Sequence, residues 1–110
     1  MASLFTRRVS SNVGNANVIV GNYVVAANTS TTLIGLVFTN THTNEIQGTA
    51  LLRNATSSVH LIKNAPIPTG SSLVVVGGEQ KIVMITGDRI EVQSDTATSM
   101  DVVMSLLEIT

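Results

Sequence analysis

The two histidines, His42 and His60, are the first candidates for acid–base or metal chemistry in this 110-residue sequence. His42 lies in a polar Thr/Asn turn with Glu45 three residues on, a spacing that can bring two ligands to one metal ion. His60 lies in the segment SVHLIK, where its neighbours point to the opposite side of a strand. No G-x-S-x-G motif supplies a serine nucleophile. Both histidines are therefore interpreted as solvated side chains, and no catalytic or metal-binding residue is predicted.

The carboxylates, one glycine-rich segment and one basic pair complete the list of candidates. Most carboxylates fall in turns or alternate outward on predicted strands, as solvated side chains do, so none is paired for glycoside hydrolysis. The segment 77–81 (GGEQK) lacks the spacing of a phosphate-binding loop, and no helix follows it. Arg7 and Arg8 make too small a basic spot for a nucleic-acid footprint. We expect a protein that is not an enzyme and binds no cofactor. The carboxylates considered are Glu45, Glu79, Asp88, Glu91, Asp95, Asp101 and Glu108.

The overall composition excludes several further classes of function. Six basic and seven acidic residues leave a net charge of −1, which argues against an electrostatic grip on nucleic acid or on an anionic membrane. The absence of cysteine excludes disulfides, zinc–thiolate sites and thiol catalysis. The longest clean apolar run, 73–76, is far shorter than a membrane helix, and residues 1–8 lack the apolar stretch of a secretory signal. We expect neither a nucleic-acid partner nor a membrane partner.

The residue types predict an all-β fold. Fifteen Val, nine Ile and fourteen Thr make up about a third of the chain, and β-branched residues favour pleated strands. Apolar runs separated by turn residues recur every ~8–12 residues, a spacing typical of a sandwich or barrel. We predict one domain, an antiparallel β-sandwich or small jelly-roll-like barrel of eight or nine short strands. The predicted strands are 4–9, 18–25, 31–40, 46–53, 58–63, 73–76, 81–86, 89–94 and 101–109, with 64–70 as an extended crossover and 77–78 as a hairpin turn. Within 18–25, Gly21-Asn22 marks either a tight turn or a bulge.

Two of these strands are apolar on both faces. In 31–40 (TTLIGLVFTN), Ile34 and Phe38 alternate with Leu33 and Val37, and 101–109 shows the same pattern. A chain this small has little material of its own to cover a second apolar face. We therefore expect part of that surface to be buried against another subunit, which predicts a homo-oligomer.

Three segments of the C-terminal half carry a family resemblance. They are 64–83 (NAPIPTGSSLVVVGGEQKIV), 86–94 (TGDRIEVQS) and 100–109 (MDVVMSLLEI). Their pattern resembles small virion structural proteins of tailed bacteriophages, over roughly residues 31–109. The resemblance implies a β-sandwich located in the virion, often a trimer, that decorates or cements the capsid. It also implies that the partners are other copies of this chain, the major capsid protein or other virion proteins. A neck, tail or fibre component, or a receptor- or glycan-binding module, is the alternative.

Residues 1–16 are considered separately from a β-sandwich domain spanning 17–110. Their apolar tip (Leu4, Phe5), two arginines (Arg7, Arg8) and small polar connector are typical of an arm that adds a strand to a neighbour's sheet. An ordinary first strand of the chain's own sheet, followed by a flexible connector, fits the same residues. We therefore take Leu4, Phe5, Arg7 and Arg8 as the candidate oligomer or capsid interface.

Overall fold

The computed structural model describes residues 2–110, which form nine strands in two antiparallel sheets packed around one core. The front sheet has the order β1-β9-β3-β6, with β7 also paired to β3, and the back sheet has the order β2-β8-β4-β5. This architecture confirms the predicted all-β sandwich. The strands are β1 (Ser3–Val13), β2 (Val18–Ile19), β3 (Ser30–Asn40), β4 (Ile46–Arg53), β5 (Ser58–Ile67), β6 (Ser72–Val76), β7 (Ile82–Met84), β8 (Arg89–Ser94) and β9 (Met100–Ile109).

The predicted hairpin at Gly77–Gly78 is wrong, because β6 and β7 do not pair with each other. Both run antiparallel to β3: β6 pairs with its second half, at Leu36↔Val76, and β7 pairs with its first half, at Leu33↔Ile82. Segment 77–81 is therefore an excursion between two parts of one edge strand. Glycine was correctly associated with a change of direction, but the chain resumes its course after the excursion instead of reversing.

With β6 and β7 counted as one edge strand, the pairing is that of a jelly roll. β4 pairs with β5, β3 with β6 and β7, β2 with β8, and β1 with β9, so the chain forms one long antiparallel hairpin. That hairpin is rolled up, which brings β9 against β3 and β8 against β4 as well. Jelly rolls of two sheets are common in viral capsid and lectin domains.

Alternation along the strands directs one side of each sheet into an aliphatic core. On β9, Met104 and Leu106 follow this alternation and are fully buried. On β3, an irregularity in register between Leu33 and Gly35 interrupts it, so Leu33 is buried together with Leu36 and Phe38, and the prediction that Leu33 and Phe38 lie on opposite faces is wrong. Few aromatic residues are available, so branched aliphatic side chains and methionine fill the space between the sheets. The intervening residues of β3 and β9 point away from the back sheet.

Segment 64–70 was predicted as a crossover because of its prolines, but β5 continues to Ile67, with Pro66 opposite Gln47. The prediction failed because β5 is the edge of the back sheet. An edge strand needs hydrogen bonds on one side only, so a proline without an N–H is tolerated there.

The ends of the first two strands also differ from prediction. β1 extends to Val13, into the segment expected to be a connector, whereas β2 keeps only Val18–Ile19 of the predicted strand 18–25. A short 3₁₀ turn at Val20–Asn22 follows β2, and Gly21 and Asn22 there have positive φ. Glycine and asparagine tolerate this conformation better than other residues, so the chain turns at Gly21–Asn22, which is one of the two alternatives predicted there. The strand does not resume after the turn.

Two strand glycines provide a test of the core. A Cβ at Gly48 would lie 2.8 Å from Cδ2 of Phe38, whereas one at Gly35 would lie 3.7 Å from Cβ of Ser105. We expect Gly48→Ala to lower the free energy of unfolding by about 1–3 kcal/mol through overpacking. The control Gly35→Ala should leave it unchanged or raise it by up to about 1 kcal/mol. Urea denaturation measures both, and equal stability of the two variants would contradict this packing.

Candidate functional site

The outward-facing side of the back sheet carries charged side chains that form ion pairs within the chain. The Glu91 carboxylate lies on β8 and accepts hydrogen bonds from Arg53 at 3.0 Å and from Arg89 at 2.9 Å. Arg53 and Arg89 are directly opposite on neighbouring strands, so Glu91 offsets a repulsion between like charges. The two arginines share this single carboxylate, so the three side chains together keep one positive charge.

The outward-facing side of the front sheet, here called the front face, is apolar instead. Val9, Val103, Val37 and Val74 lie in register on β1, β9, β3 and β6, so that they form one row across four strands. Val9, Val103 and Val74 are 48%, 46% and 62% exposed. We call these four side chains the valine row. Exposed apolar residues in such a continuous arrangement are typical of interaction surfaces.

A second row lies parallel to the first. Phe5, Leu107, Thr32 and Val83 are in register on β1, β9, β3 and β7, and Phe5 and Val83 are 72% and 69% exposed. The small side chain of Ser105 lies between the two rows on β9. The surface there has a shallow depression of about 380 Å³, lined by Phe5, Thr6, Arg7, Ile34, Ser105 and Leu106. The front face therefore offers both protruding and recessed apolar surface.

Two charged side chains belong to the front face. Arg7 lies on β1 opposite Ser105, on one side of the valine row, and Asp101 lies on β9 opposite Thr39, on the other side. Within residues 2–110 neither forms an ion pair, although Asp101 accepts a hydrogen bond from the Asn12 amide at 3.0 Å. The face thus carries one charge of each sign.

The four residues predicted as the interface lie on two different sides of β1. Phe5 and Arg7 point outward on the front face, together with Val9. Leu4 and Arg8 alternate to the other side, opposite Glu108 and Met104. Arg8 is engaged within the chain, since its guanidinium carbon lies 5.1 Å from the centre of the Tyr23 ring. All four belong to a strand paired with β9 of the same sheet.

Sequence reasoning missed most of the front face. Val37 and Val103 were recognised as part of two-faced strands, but Val9, Val74 and Val83 were not linked to them. The alternation of each strand was visible in the sequence, and strand order and register were not. Only long-range pairing brings these short segments into rows.

The other residues considered for chemistry are held by local structure. His42 Nδ1 accepts a hydrogen bond from the Asn44 amide at 3.2 Å, within the turn that was predicted around it. His60 is exposed on β5, opposite Leu51. The Lys81 ammonium donates to the Gly78 carbonyl at 3.2 Å, inside the excursion.

Among the described residues, no three His, Asp or Glu side chains are grouped to hold a metal ion. No helix within residues 2–110 is long and apolar enough to cross a membrane.

A polar cluster behind β1 ties the N-terminal strand to the rest of the sandwich. The buried Tyr23 hydroxyl donates to Glu108 Oε2 at 2.7 Å and lies 2.7 Å from Thr31 Oγ1, whose hydroxyl donates to it. Burial raises the pKa of Tyr23 above its ordinary value of 10.0, and the Glu108 carboxylate raises it further, against the opposing effects of Thr31 and Arg8. Arg8 lies over the same ring, so the cluster joins β1, β3 and β9.

The Tyr23 cluster predicts a pH dependence of stability. A raised pKa in the folded state gives stability that is full below the unfolded value of about 10 and is lost as pH rises through the folded value. The sequence has one tyrosine and no tryptophan, so tyrosinate absorbance reports Tyr23 alone. We expect the native midpoint above that of the urea-unfolded chain, and a lower native midpoint in Glu108→Gln. Glu45→Gln, at an exposed turn, serves as the control. Coinciding native and unfolded midpoints would contradict the cluster.

Comparison with known proteins identifies relatives of the fold. Neither protein-family models nor curated protein sequences give a match. Among solved structures, the chain is similar to a chain of the acidic stable capsid of Helicobacter pylori bacteriophage KHP30. The TM-score is 0.59 and the sequence identity is 8%, and the match covers 100% of this chain and 94% of that chain. It is also similar to a chain of Bacillus endospore appendages, which form disulfide-linked pili. Here the TM-score is 0.55 and the sequence identity is 11%, and the match covers 98% of this chain and 88% of that chain. At these identities the likeness shows a shared fold.

Proposed function

We propose that this protein is a structural component of a tailed-phage virion, most specifically a decoration protein that binds the outside of the capsid. The observation that carries the proposal is the front face, where two apolar rows cross the sheet and lack a cover within the described chain. A face of this kind suits lasting contact with another protein surface. The role is one of assembly, without catalysis.

The shared fold supports the proposal from a second direction. The jelly roll that matches the whole of this chain also occurs in the capsid of a bacteriophage. Another similar structure belongs to disulfide-linked pili. This chain has no cysteine and cannot form that link, so a capsid role fits it better than a filament of the same kind.

The aromatic residues argue against the glycan-binding alternative. Sugar platforms generally present exposed aromatic rings, and Tyr23 was the candidate that the sequence offered. The structure buries Tyr23 to 5% exposure, and Phe38 is fully buried. Phe5 is left as the exposed ring, and it lies within an apolar row. A neck or tail position would use the same face, and particle imaging distinguishes it from the capsid surface.

Binding to particles tests the proposal. We expect mass spectrometry to detect the chain in gradient-purified particles of the phage that encodes it. Particles prepared without the chain should bind recombinant protein saturably. Phe5→Ser should weaken this binding at least tenfold, because burying a phenylalanine contributes about 1.5–3 kcal/mol.

A matched control separates the front face from general surface hydrophobicity. Val59 on β5 is 55% exposed but lies on the back sheet, so Val59→Ser should bind particles as the wild type does. If purified particles lack the chain, or if depleted particles do not bind it, the virion role is wrong. If both variants weaken binding equally, the front face is not the contact.

A further inference from the structure

The two charges of the front face are placed in a way that the chain itself does not use. Arg7 and Asp101 lie one row to either side of the valine row and on neighbouring strands, β1 and β9. From strand geometry their Cα atoms are about 14 Å apart, too far for an ion pair. Opposite charges that flank an apolar row can each pair with the complementary charge of a second molecule.

We propose that two copies of this chain pack front face to front face, related by a two-fold axis that runs along the valine row. This rotation places each strand over its own counterpart and exchanges the two sides of the row. Arg7 on β1 of one copy then lies on the same side of the axis as Asp101 of the second copy. That Asp101 is on β9, the strand next to the β1 that faces Arg7. Sheets packed face to face lie about 10 Å apart, a gap that an extended arginine and an aspartate bridge together.

The surface matches what a two-fold interface requires. Such an interface uses one self-complementary patch, in which residue i contacts residue j of the copy and j contacts i. A row of valines is complementary to itself. Arg7 of each copy would pair with Asp101 of the other, which gives the reciprocal contact that a two-fold interface requires. The resemblance to phage proteins implied a trimer instead. A three-fold ring joins two different patches, whereas the front face already carries both halves of its own complement.

The other surfaces of the sandwich are less suited to pairing. The back sheet sets Arg53 and Arg89 against the single carboxylate of Glu91, so two such faces would bring net positive charges together. The free edge of β1 carries Arg7 and Arg8 near its middle, so antiparallel pairing of two such edges would bring arginines together. Charged residues on an edge strand commonly prevent edge-to-edge pairing. Contact through the front face avoids this repulsion.

The pair overlaps over only part of the front face. The row that contains Phe5 extends beyond the region opposite the second copy and stays available for other contacts. An interface smaller than the standard of about 800 Å² per partner gives weak, concentration-dependent association. We therefore expect a dimer with a dissociation constant in the micromolar range.

Sedimentation equilibrium with charge reversal tests the inference. The wild-type mass should rise from 11.5 kDa toward twice that value as concentration increases. Arg7→Asp and Asp101→Arg should each weaken the dimer about tenfold or more, since each variant places like charges at both symmetric contacts. The double variant Arg7→Asp/Asp101→Arg should recover dimerisation to within about threefold of the wild type. Thermal unfolding of each variant confirms that it is folded.

A cross-linking measurement covers the case in which Asp101→Arg disturbs the fold. Val103→Cys places a thiol beside the two-fold axis in a chain that has no other cysteine. A short bis-maleimide should join two copies of this variant, whereas Val59→Cys, on the back sheet, should stay uncross-linked. Val59 has similar exposure, so it is a fair control for reactivity.

Each alternative outcome contradicts the two-fold pair. A mass that stays at one copy at all concentrations, a mass of three copies, or a double variant no better than the single ones would each overturn it. Equal cross-linking at Val103 and Val59 would do the same. These measurements use isolated protein, so the dimer can stand if the virion role fails, and the virion role can stand if the dimer fails.

Discussion

The pairing of β9 between β1 and β3 is the interaction on which the rest of the structure depends. This C-terminal strand bonds to the N-terminal strand on one side, from Ser3↔Ile109 to Val13↔Met100, and to β3 on the other. It thereby closes the jelly roll, supplies Met104 and Leu106 to the core, and presents Val103 outward. The Tyr23 cluster reinforces the same junction through Glu108. Loss of this ladder would remove the core, the front face and the anchorage of β1 together.

The two sheets differ in how they treat their outward side. The back sheet has a charged surface, on which Arg53 and Arg89 pair with Glu91. The front sheet is apolar on both sides, with a packed core below and valine and phenylalanine rows above. Leaving such a surface in water loses the free energy that its burial would provide. A chain with few charges to keep it apart from other molecules is therefore suited to assembly.

Much of the secondary structure could be predicted from the sequence, and the errors have specific causes. Strands 31–40, 46–53, 89–94 and 101–109 were placed within about a residue of the observed bounds, because alternation with clear turn signals is a local property. The hairpin at Gly77–Gly78 was wrong because glycine marks a change of direction without specifying which strand receives the chain afterwards. Pro66 was misjudged because its tolerance depends on whether the strand lies at an edge, which is a property of the sheet.

The sequence by itself determined the fold class, the aliphatic core and the presence of strands with two apolar sides, because these follow from residue type and a period of two. It also placed Phe5 and Arg7 among the candidate interface residues. Only the tertiary structure decided that four valines form one row, that Arg8 lies over the Tyr23 ring, and that Asp101 shares a face with Arg7. The four valines are Val9, Val103, Val37 and Val74. The physical reason is that register between strands distant in the chain is set by their joint packing on the core. A shift of one residue in that register would move every side chain to the opposite face.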